Sequence, residues 1–434
     1  MSPRLRRWAL VAAVVVGIGA AGALAVMAGL FATSVVDASA RTPLAPEQMK
    51  ALVERGRYLA RAADCAACHT AEGGAPLAGG RAFAMPFGTL YATNITPDPE
   101  TGIGRWSRAD FQRAVRDGVA PGGRHLYPAM PYVSYRALTA ADTDAIYAWL
   151  MSRPPIRQEN RANTFPFDYV RPTLAFWNLL NLPSRGFAPE ESQPAAWNRG
   201  RYLVDALGHC GECHTPRDLA LGMIASRYLQ GARIEDVDAP DITPAGLGRM
   251  GFDAGSLARY LPAGMGPQGV MNFSMYDVVH NSTRYLTADD AGAMVAYLIA
   301  SRPTPQTTAP AAPAATVAAA PPAGRNTYVQ LCSACHGLDG QGIPHVAPPL
   351  RTNASLRLAS PRNLVVAVAA GLPDRPLPGG ERLQAMPGFG RLLDDRQFAD
   401  LVNYLRGVWG GTPPTVTPDE VRAVRSTILT SSPR

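Results

Sequence analysis

Three short runs in this chain pair two thiols with an imidazole: Cys65-Ala66-Ala67-Cys68-His69, Cys210-Gly211-Glu212-Cys213-His214 and Cys332-Ser333-Ala334-Cys335-His336. A C-x-x-C-H run reads as a site of covalent c-type haem attachment. Two thiols one helical turn apart can add to the two vinyl groups on one edge of a porphyrin. The His that follows then lies under the iron and ligates it through a ring nitrogen. A lone C-x-x-C would suit a redox thiol pair or half of a zinc site. Here the chain has six cysteines and the three runs use them all. None remains for a disulfide or to complete a four-cysteine zinc site. Three covalently bound haem c groups are therefore expected. They would be held by Cys65, Cys68 and His69, by Cys210, Cys213 and His214, and by Cys332, Cys335 and His336. Zinc sites of mixed His and Cys ligation are the alternative.

A His-ligated haem iron has a second face. Methionine there raises the potential and favours electron transfer, whereas an open face favours ligand binding or catalysis. Met130 follows His69 at the same sequence distance at which Met275 follows His214. Met386 is the one methionine of the third region. The expected axial pairs are His69 with Met130, His214 with Met275, and His336 with Met386. Pro128 and Pro131 flank the first of these methionines and Pro387 follows the third, which holds those loops extended. Met275 has no such flank, and Met271 competes with it. Met85, Met151 and Met223 read as packing residues. His125, His209, His280 and His345 lie outside the motifs and read as surface or supporting histidines. No nucleophile–base constellation, phosphate-binding glycine loop or dinucleotide fingerprint is present.

The elements that must position these residues form a repeat. Gly56-Arg57-Tyr58-Leu59 recurs as Gly200-Arg201-Tyr202-Leu203, and Asn94-Ile95-Thr96-Pro97 as Asp241-Ile242-Thr243-Pro244. Leu138-Thr139-Ala140-Ala141-Asp142 recurs as Leu286-Thr287-Ala288-Asp289-Asp290. Helices are expected over residues 47–63, with Leu52, Tyr58 and Leu59 inward, and over 106–117, 139–152, 291–300 and 394–409. Thr139 is a fair N-cap. The expected organisation is a signal or anchor at 1–44, haem domains at 45–155, 196–303 and 324–410, a Pro- and aromatic-rich connector at 156–195, a Pro/Ala linker at 304–323 and a tail at 411–434. The connector is too apolar for a free linker and should pack between domains or against a partner. The tail begins Pro-rich and could end in a short helix of weak amphipathicity.

The chain has 434 residues and a net charge of +7, and Lys50 is its only lysine. Nucleic acid is not the inferred partner. Arg4, Arg6 and Arg7 precede a hydrophobic segment and belong to topology, and haem propionates would offset much of the rest. Residues 8–36 carry no charge, long enough for a membrane helix of about 20 residues. Ala38-Ser39-Ala40 is a cleavage pattern, so retained anchor and cleaved signal both stand, with length favouring the anchor. Either reading exports the haem domains to the periplasmic side of the inner membrane.

The run Asn94-Ile95-Thr96-Pro97-Asp98 through Gly102-Ile103-Gly104-Arg105-Trp106-Ser107, with Gly123-Arg124-His125-Leu126-Tyr127-Pro128-Ala129-Met130-Pro131-Tyr132, resembles the tri-haem cytochrome c subunit of bacterial membrane-bound dehydrogenases. Pro216-Arg217 after the second motif, Asn281-Ser282-Thr283-Arg284-Tyr285-Leu286-Thr287, Met386-Pro387 and Arg406-Gly407-Val408-Trp409-Gly410 extend the resemblance across residues 45–410. It implies a mainly α fold of three tandem class I-like cytochrome c domains. It also implies a catalytic partner subunit (a quinoprotein, flavoprotein or molybdoprotein oxidising alcohols, gluconate, sorbitol or aldehydes) and ubiquinone or a terminal oxidase as acceptor. This chain would then carry electrons and perform no substrate chemistry. Two competitors come from other classes. One is a haem enzyme acting on thiosulfate or peroxide; the other is a free electron shuttle.

Overall fold

Gly56, Gly200 and Gly324 mark three places where one helix crosses another. The leading helices are Pro46–Ala62, Ala195–Arg201 and Pro322–Leu331; the closing helices they cross are Ala140–Met151, Ala288–Ile299 and Asp395–Gly410. A Cβ on Gly56 would overlap the Ala145 carbonyl oxygen, one on Gly200 that of Ala293, and one on Gly324 that of Asp400. Only glycine lets the backbones approach this closely. A mid-helix glycine costs roughly 0.5–1 kcal/mol against alanine. Burial of Leu59, Ile146 and Leu150 at the first crossing, and of Leu203, Tyr297 and Leu298 at the second, offsets it. At the third, Tyr328, Leu401 and Leu405 are equally buried.

The structure, a computed structural model, describes residues 45–85, 88–164, 170–183, 186–299 and 322–431. The expected anchor at 1–44 and nearly all of the expected linker at 304–323 lie outside these residues, as do Phe165, Phe167 and Tyr169 of the connector. The described part is mainly α-helical. Among the described residues, β structure is confined to two-stranded antiparallel hairpins and isolated bridges. No described helix is long and apolar enough to cross a membrane. The chain divides into two compact units. One runs to Ala188 and includes Asp205–His209, and it carries the first motif. The other comprises Pro189–Val204 and everything from Cys210 onward, with the second and third motifs.

The repeat seen in sequence is a repeat in structure. Thr139 caps the first closing helix by accepting from Asp142 N (3.1 Å), and Thr287 caps the second by accepting from Asp290 N (3.1 Å). Those same aspartates are buried and meet arginines of the leading helices. Arg55 Nε donates to Asp142 at 3.0 Å, and Arg199 binds Asp290 through two nitrogens at 2.8 and 2.7 Å. The second closing helix thus begins at Ala288, ahead of the expected start at 291, because its cap is Thr287. The second copy holds one residue more between its glycine and its first cysteine than the first copy does. A π-helical turn, Tyr202–Leu207, lies in that stretch and absorbs the extra residue. Such turns inside helices concentrate at functional sites.

Two other stretches find their places. Residues 156–164 of the connector run along the first unit. There Asn160, Asn163 and Thr164 accept from the backbone N–H groups of Asn94, Tyr91 and Thr89 at 2.7, 2.9 and 2.7 Å. A helix, Leu174–Asn181, follows and buries Leu174, Ala175 and Asn178. The tail forms a helix, Pro418–Ser431, whose Val421, Val424 and Ile428 join the core of the third region. That burial accounts for its weak amphipathic signal being enough to fix it.

A Gly200→Val substitution is expected to destabilise the second region by about 1–3 kcal/mol through overpacking of the crossing, read as a lowered thermal midpoint. A second expectation concerns acid. Asp110 is held below its ordinary 3.8 by the Ser107 hydroxyl and then by the Ser107 N–H, in the capping box of the helix Arg108–Asp117. A carboxyl with a depressed folded pKa contributes stability that is present above pH 3.8 and lost as pH falls through the folded value. Ser107→Ala should cost about 1 kcal/mol at neutral pH and make the acid limb of the stability curve shallower.

Candidate haem sites

Each motif forms a short helix that ends on its His: Cys65–His69, Gly211–His214 and Ser333–His336. This places the second thiol and the imidazole of each run on one helical turn, with the first thiol at the start of that turn. The six thiols form no disulfide. Burial pushes the Cys65 thiol up to about 12 and the Cys332 thiol up to about 11, in both cases before the smaller effects of neighbouring charges. These are protonated thiols at neutral pH, opposite in character to the low-pKa thiolates of disulfide exchange. Among the described residues no three His, Cys, Asp or Glu side chains converge as a metal site.

The imidazoles are fixed alike. His69 Nδ1 lies 2.7 Å from the Thr93 carbonyl oxygen, His214 Nδ1 2.7 Å from that of Pro240, and His336 Nδ1 3.1 Å from that of Pro348. A carbonyl can only accept, so Nδ1 carries the proton and Nε2 is the free lone pair. Desolvation lowers the pKa of all three rings, partly opposed by these same hydrogen bonds. Neutral imidazole with a fixed tautomer is the form that ligates a metal.

The loop that delivers the carbonyl is built the same way twice. Asn94 Oδ1 accepts from Thr96 N and Thr96 Oγ1 at 2.9 and 2.7 Å, and Asp241 Oδ1 from Thr243 N and Thr243 Oγ1 at 2.9 and 2.6 Å. These Asx-turns pin the residues just after Thr93 and Pro240. Gly79 N donates to the His69 carbonyl and Gly231 N to the His214 carbonyl, both at 2.8 Å. Leu77 and Leu229 take positive φ of 63° and 61° at matching positions, with their N–H groups bound to Thr70 and Thr215 hydroxyls at 3.1 Å each. A branched residue held there is strained and persists only where its surroundings over-determine it. The Asn-Ile-Thr-Pro repeat is legible in the sequence, but its task emerges only here. The signal for that task was present, since Thr93 and Pro240 directly precede the two copies.

The stretches that lead to the first two methionines match, although Met130 lies in a turn ahead of the helix Tyr132–Tyr135 and Met275 is the second residue of the helix Ser274–Asn281. After Gly118, in the left-handed conformation, a short hairpin returns so that Leu126 N donates to the Gly118 carbonyl at 2.7 Å; after Gly264, Met271 N donates to the Gly264 carbonyl at 2.8 Å. Met271 therefore stands where Leu126 stands, and it is buried. Met275 takes the place of Met130, four residues on in each copy. Pro121-Gly122-Gly123 before Met130 also has a counterpart in Pro378-Gly379-Gly380 before Met386, with both pairs of glycines at positive φ. This links the third region to the repeat more closely than its sequence suggested. Met386 exchanges two backbone hydrogen bonds with Leu372, each 2.9 Å, and packs with Cys332 against one core.

The remaining histidines have other partners. His125 carries a 3.5 Å contact to Asn178 Nδ2 and accepts Arg171 through its carbonyl at 2.8 Å. His280 stacks on Tyr276, and His345 Nδ1 sits 3.0 Å from Glu381. His209, at φ 38°, immediately precedes Cys210.

The fit to haem is tested by what surrounds the third motif. Val329, Leu338 and Ile343 flank Cys332–His336 in sequence and stand exposed. A porphyrin face is the kind of apolar surface that would cover them. With adjacent thiols and a free Nε2, the residues fit a covalently bound haem c, and the three motif helices define a protein of the c-type haem class.

Comparison with known proteins agrees. The cytochrome c family profile matches residues 53–154 and 322–409. The chain is 39% identical over 397 residues to the gluconate 2-dehydrogenase cytochrome c subunit of Pantoea cypripedii, covering 86% of this chain and 90% of that protein. It is 37% identical over 422 residues to the cytochrome c subunit of the quinone alcohol dehydrogenase of Gluconacetobacter polyoxogenes, covering 92% of this chain and 89% of that one. It is 41% identical over 405 residues to a nicotinate dehydrogenase subunit of Pseudomonas putida, covering 91% of this chain but only 34% of that longer protein. The chain belongs to the cytochrome c family, among the cytochrome c subunits of dehydrogenases.

The match of Met271 to Leu126 generates an expectation. Met271→Leu should leave the near-infrared methionine–iron charge-transfer band intact, whereas Met275→Ala should remove the contribution of one haem. Near-infrared absorption of the oxidised chain measures both.

Proposed function

We propose that this chain is a tri-haem electron-transfer subunit of a periplasm-facing, membrane-associated dehydrogenase. The haems are held by Cys65, Cys68 and His69, by Cys210, Cys213 and His214, and by Cys332, Cys335 and His336. Met130, Met275 and Met386 fill the opposite axial positions, in three tandem class I-like cytochrome c domains. The observation that carries this reading is the recurrence of one arrangement: a motif helix whose His Nδ1 is bound to a backbone carbonyl, after a leading helix that crosses a closing helix at a glycine. The relatives named above, all of them dehydrogenase subunits, supply the partner class.

Haem supplies a one-electron iron couple with no proton attached to the transfer. The chain's residues do the rest. The carbonyls of Thr93, Pro240 and Pro348 hold each ring in one tautomer and orientation, so that Nε2 stays aimed in both oxidation states. Held this rigidly, the histidines and methionines that would hold the iron would keep rearrangement small on gain or loss of an electron, and their identity and burial would tune the potential. The chain contributes no substrate chemistry in this reading. A separate catalytic subunit oxidises the substrate, and ubiquinone or a terminal oxidase takes the electrons. Residues 4–7 and the uncharged run 8–36 support attachment at the inner membrane with the haems outside it.

The test is haem reduction in native membranes with and without this chain, adding ethanol, gluconate, sorbitol, an aldehyde and nicotinate in turn. One of these donors should reduce c-type haem only when the chain is present. Reduction by none of them, with thiosulfate or peroxide changing the spectrum of the purified chain alone, would replace this reading with that of a haem enzyme. A further expectation is that Met386→Ala lowers one midpoint potential and slows electron flow. Unchanged potentiometry would remove Met386 from the ligand set.

A further inference from the structure

Met275, the second residue of the helix Ser274–Asn281, lacks the prolines that stand beside the other two methionines. In the first copy Pro128 and Pro131 flank Met130, and in the third Pro387 follows Met386. At the positions of Pro128 and Pro131 the second copy has Phe273 and Tyr276. Proline fixes φ and shortens the list of conformations a loop can adopt. Two aromatic residues, Phe273 at the cap of that helix and Tyr276 within its first turn, do not fix where the helix sits unless something outside it holds them.

The structure shows what holds them. Phe273 packs against the core of the third region, formed by Tyr328, Leu364, Val365, Phe398 and their neighbours, the same core that Met386 packs against. Its backbone has φ 55° and ψ −142°. For a bulky residue such a conformation is strained and persists only where the surroundings impose it. The Tyr276 hydroxyl donates to the Pro376 carbonyl at 2.8 Å, and the Arg375 guanidinium lies over the Tyr276 ring at 4.5 Å. Arg375 and Pro376 form a strand of the hairpin that leads to Met386. A cation over an aromatic face is attracted by the ring quadrupole.

Second contacts keep this junction in register. Asn363 and Asp238 exchange hydrogen bonds of 2.7 and 2.8 Å, and Arg362 Nε donates to the Asp236 carbonyl at 2.7 Å. The Asp236 and Asp238 segment runs directly into Pro240, whose carbonyl binds His214. Ala354 N donates to the Gln268 carbonyl at 2.9 Å. The third region therefore touches the second on both the His214 side and the Met275 side.

We propose that Phe273, Tyr276 and Arg375 are positioning residues that hold the first turn of the Met275 helix by docking it on the third region, so that the second site keeps its methionine only while the two regions are joined. The proposal rests on the reading that Met275 is an axial ligand. The junction does for Met275 what the prolines do for Met130. The second methionine is thus conditional on a neighbour, whereas the first and third are held within their own regions.

The experiment uses the full haem-loaded chain. Its readouts are the near-infrared methionine–iron band of the oxidised form and the number of irons that bind carbon monoxide when reduced. The pair Phe273→Ala/Tyr276→Ala should lose the band of one haem and gain one carbon monoxide-binding iron, as Met275→Ala does. If the alanine pair fails to accumulate loaded chain, Arg375→Gln weakens the junction from its far side and should show a partial loss of the same band. A full band and no carbon monoxide binding in the alanine pair, beside a lost band in Met275→Ala, would overturn the junction alone. An unchanged band in Met275→Ala would instead remove the ligand assignment beneath it.

Discussion

An imidazole whose Nδ1 is bound to a carbonyl has only Nε2 to offer, and this constraint organises the rest of the protein. The carbonyl must arrive at hydrogen-bonding distance from a helix that ends on the His itself. In two copies it arrives on a loop pinned by an Asx-turn, with Leu77 and Leu229 forced into the left-handed region to bring the chain around. In the third copy a shorter loop delivers Pro348. The sequences of these loops differ, yet the bond they make is the same. A tautomer, unlike a packing contact, is either right or wrong.

The helix crossings serve that constraint from below. A motif helix of four or five residues cannot be stable alone, because helix nucleation is costly and short helices are marginal in water. Each follows a leading helix clamped at a glycine against a closing helix. In the first two copies an arginine–aspartate pair and a threonine cap fix the closing helix in register. The π-helical turn at Tyr202–Leu207 shows how firmly the crossing and the motif are both specified. One extra residue separates them, and the helix deforms between them while neither end moves out of place.

The methionine loops show three solutions to one problem. Prolines stiffen the first, which the helix Leu174–Asn181 also backs. There the Tyr132 hydroxyl donates to Asn178 at 2.8 Å, and Tyr132 N binds the Met130 carbonyl at 2.8 Å. The third is sewn to the end of the helix Arg362–Ala370, where a Cβ on Gly371 would lie 2.5 Å from the Met386 carbonyl oxygen. The second leans on its neighbour. Repetition has kept the geometry near each His and varied the contacts around each methionine.

The sequence by itself determined the chemistry of the sites and the number of motifs, because covalent attachment needs cysteines and a histidine at a fixed local spacing that no distant contact can supply. It also determined the duplication and most helix bounds, since caps such as Thr139 and Asp394 act within a few residues. Tertiary structure decided what depends on partners far along the chain. It equated Met271 with Leu126 through the hairpins that return to Gly264 and Gly118, a match that only the fold shows. It revealed the tasks of Gly56, Gly200 and Gly324, which are invisible without the crossing helix. It tied the Pro-rich connector to the first unit and the tail helix to the third core through contacts of long sequence separation. It also gave Phe273 and Tyr276 their role, for an aromatic residue in a loop acquires meaning only from the surface that receives it.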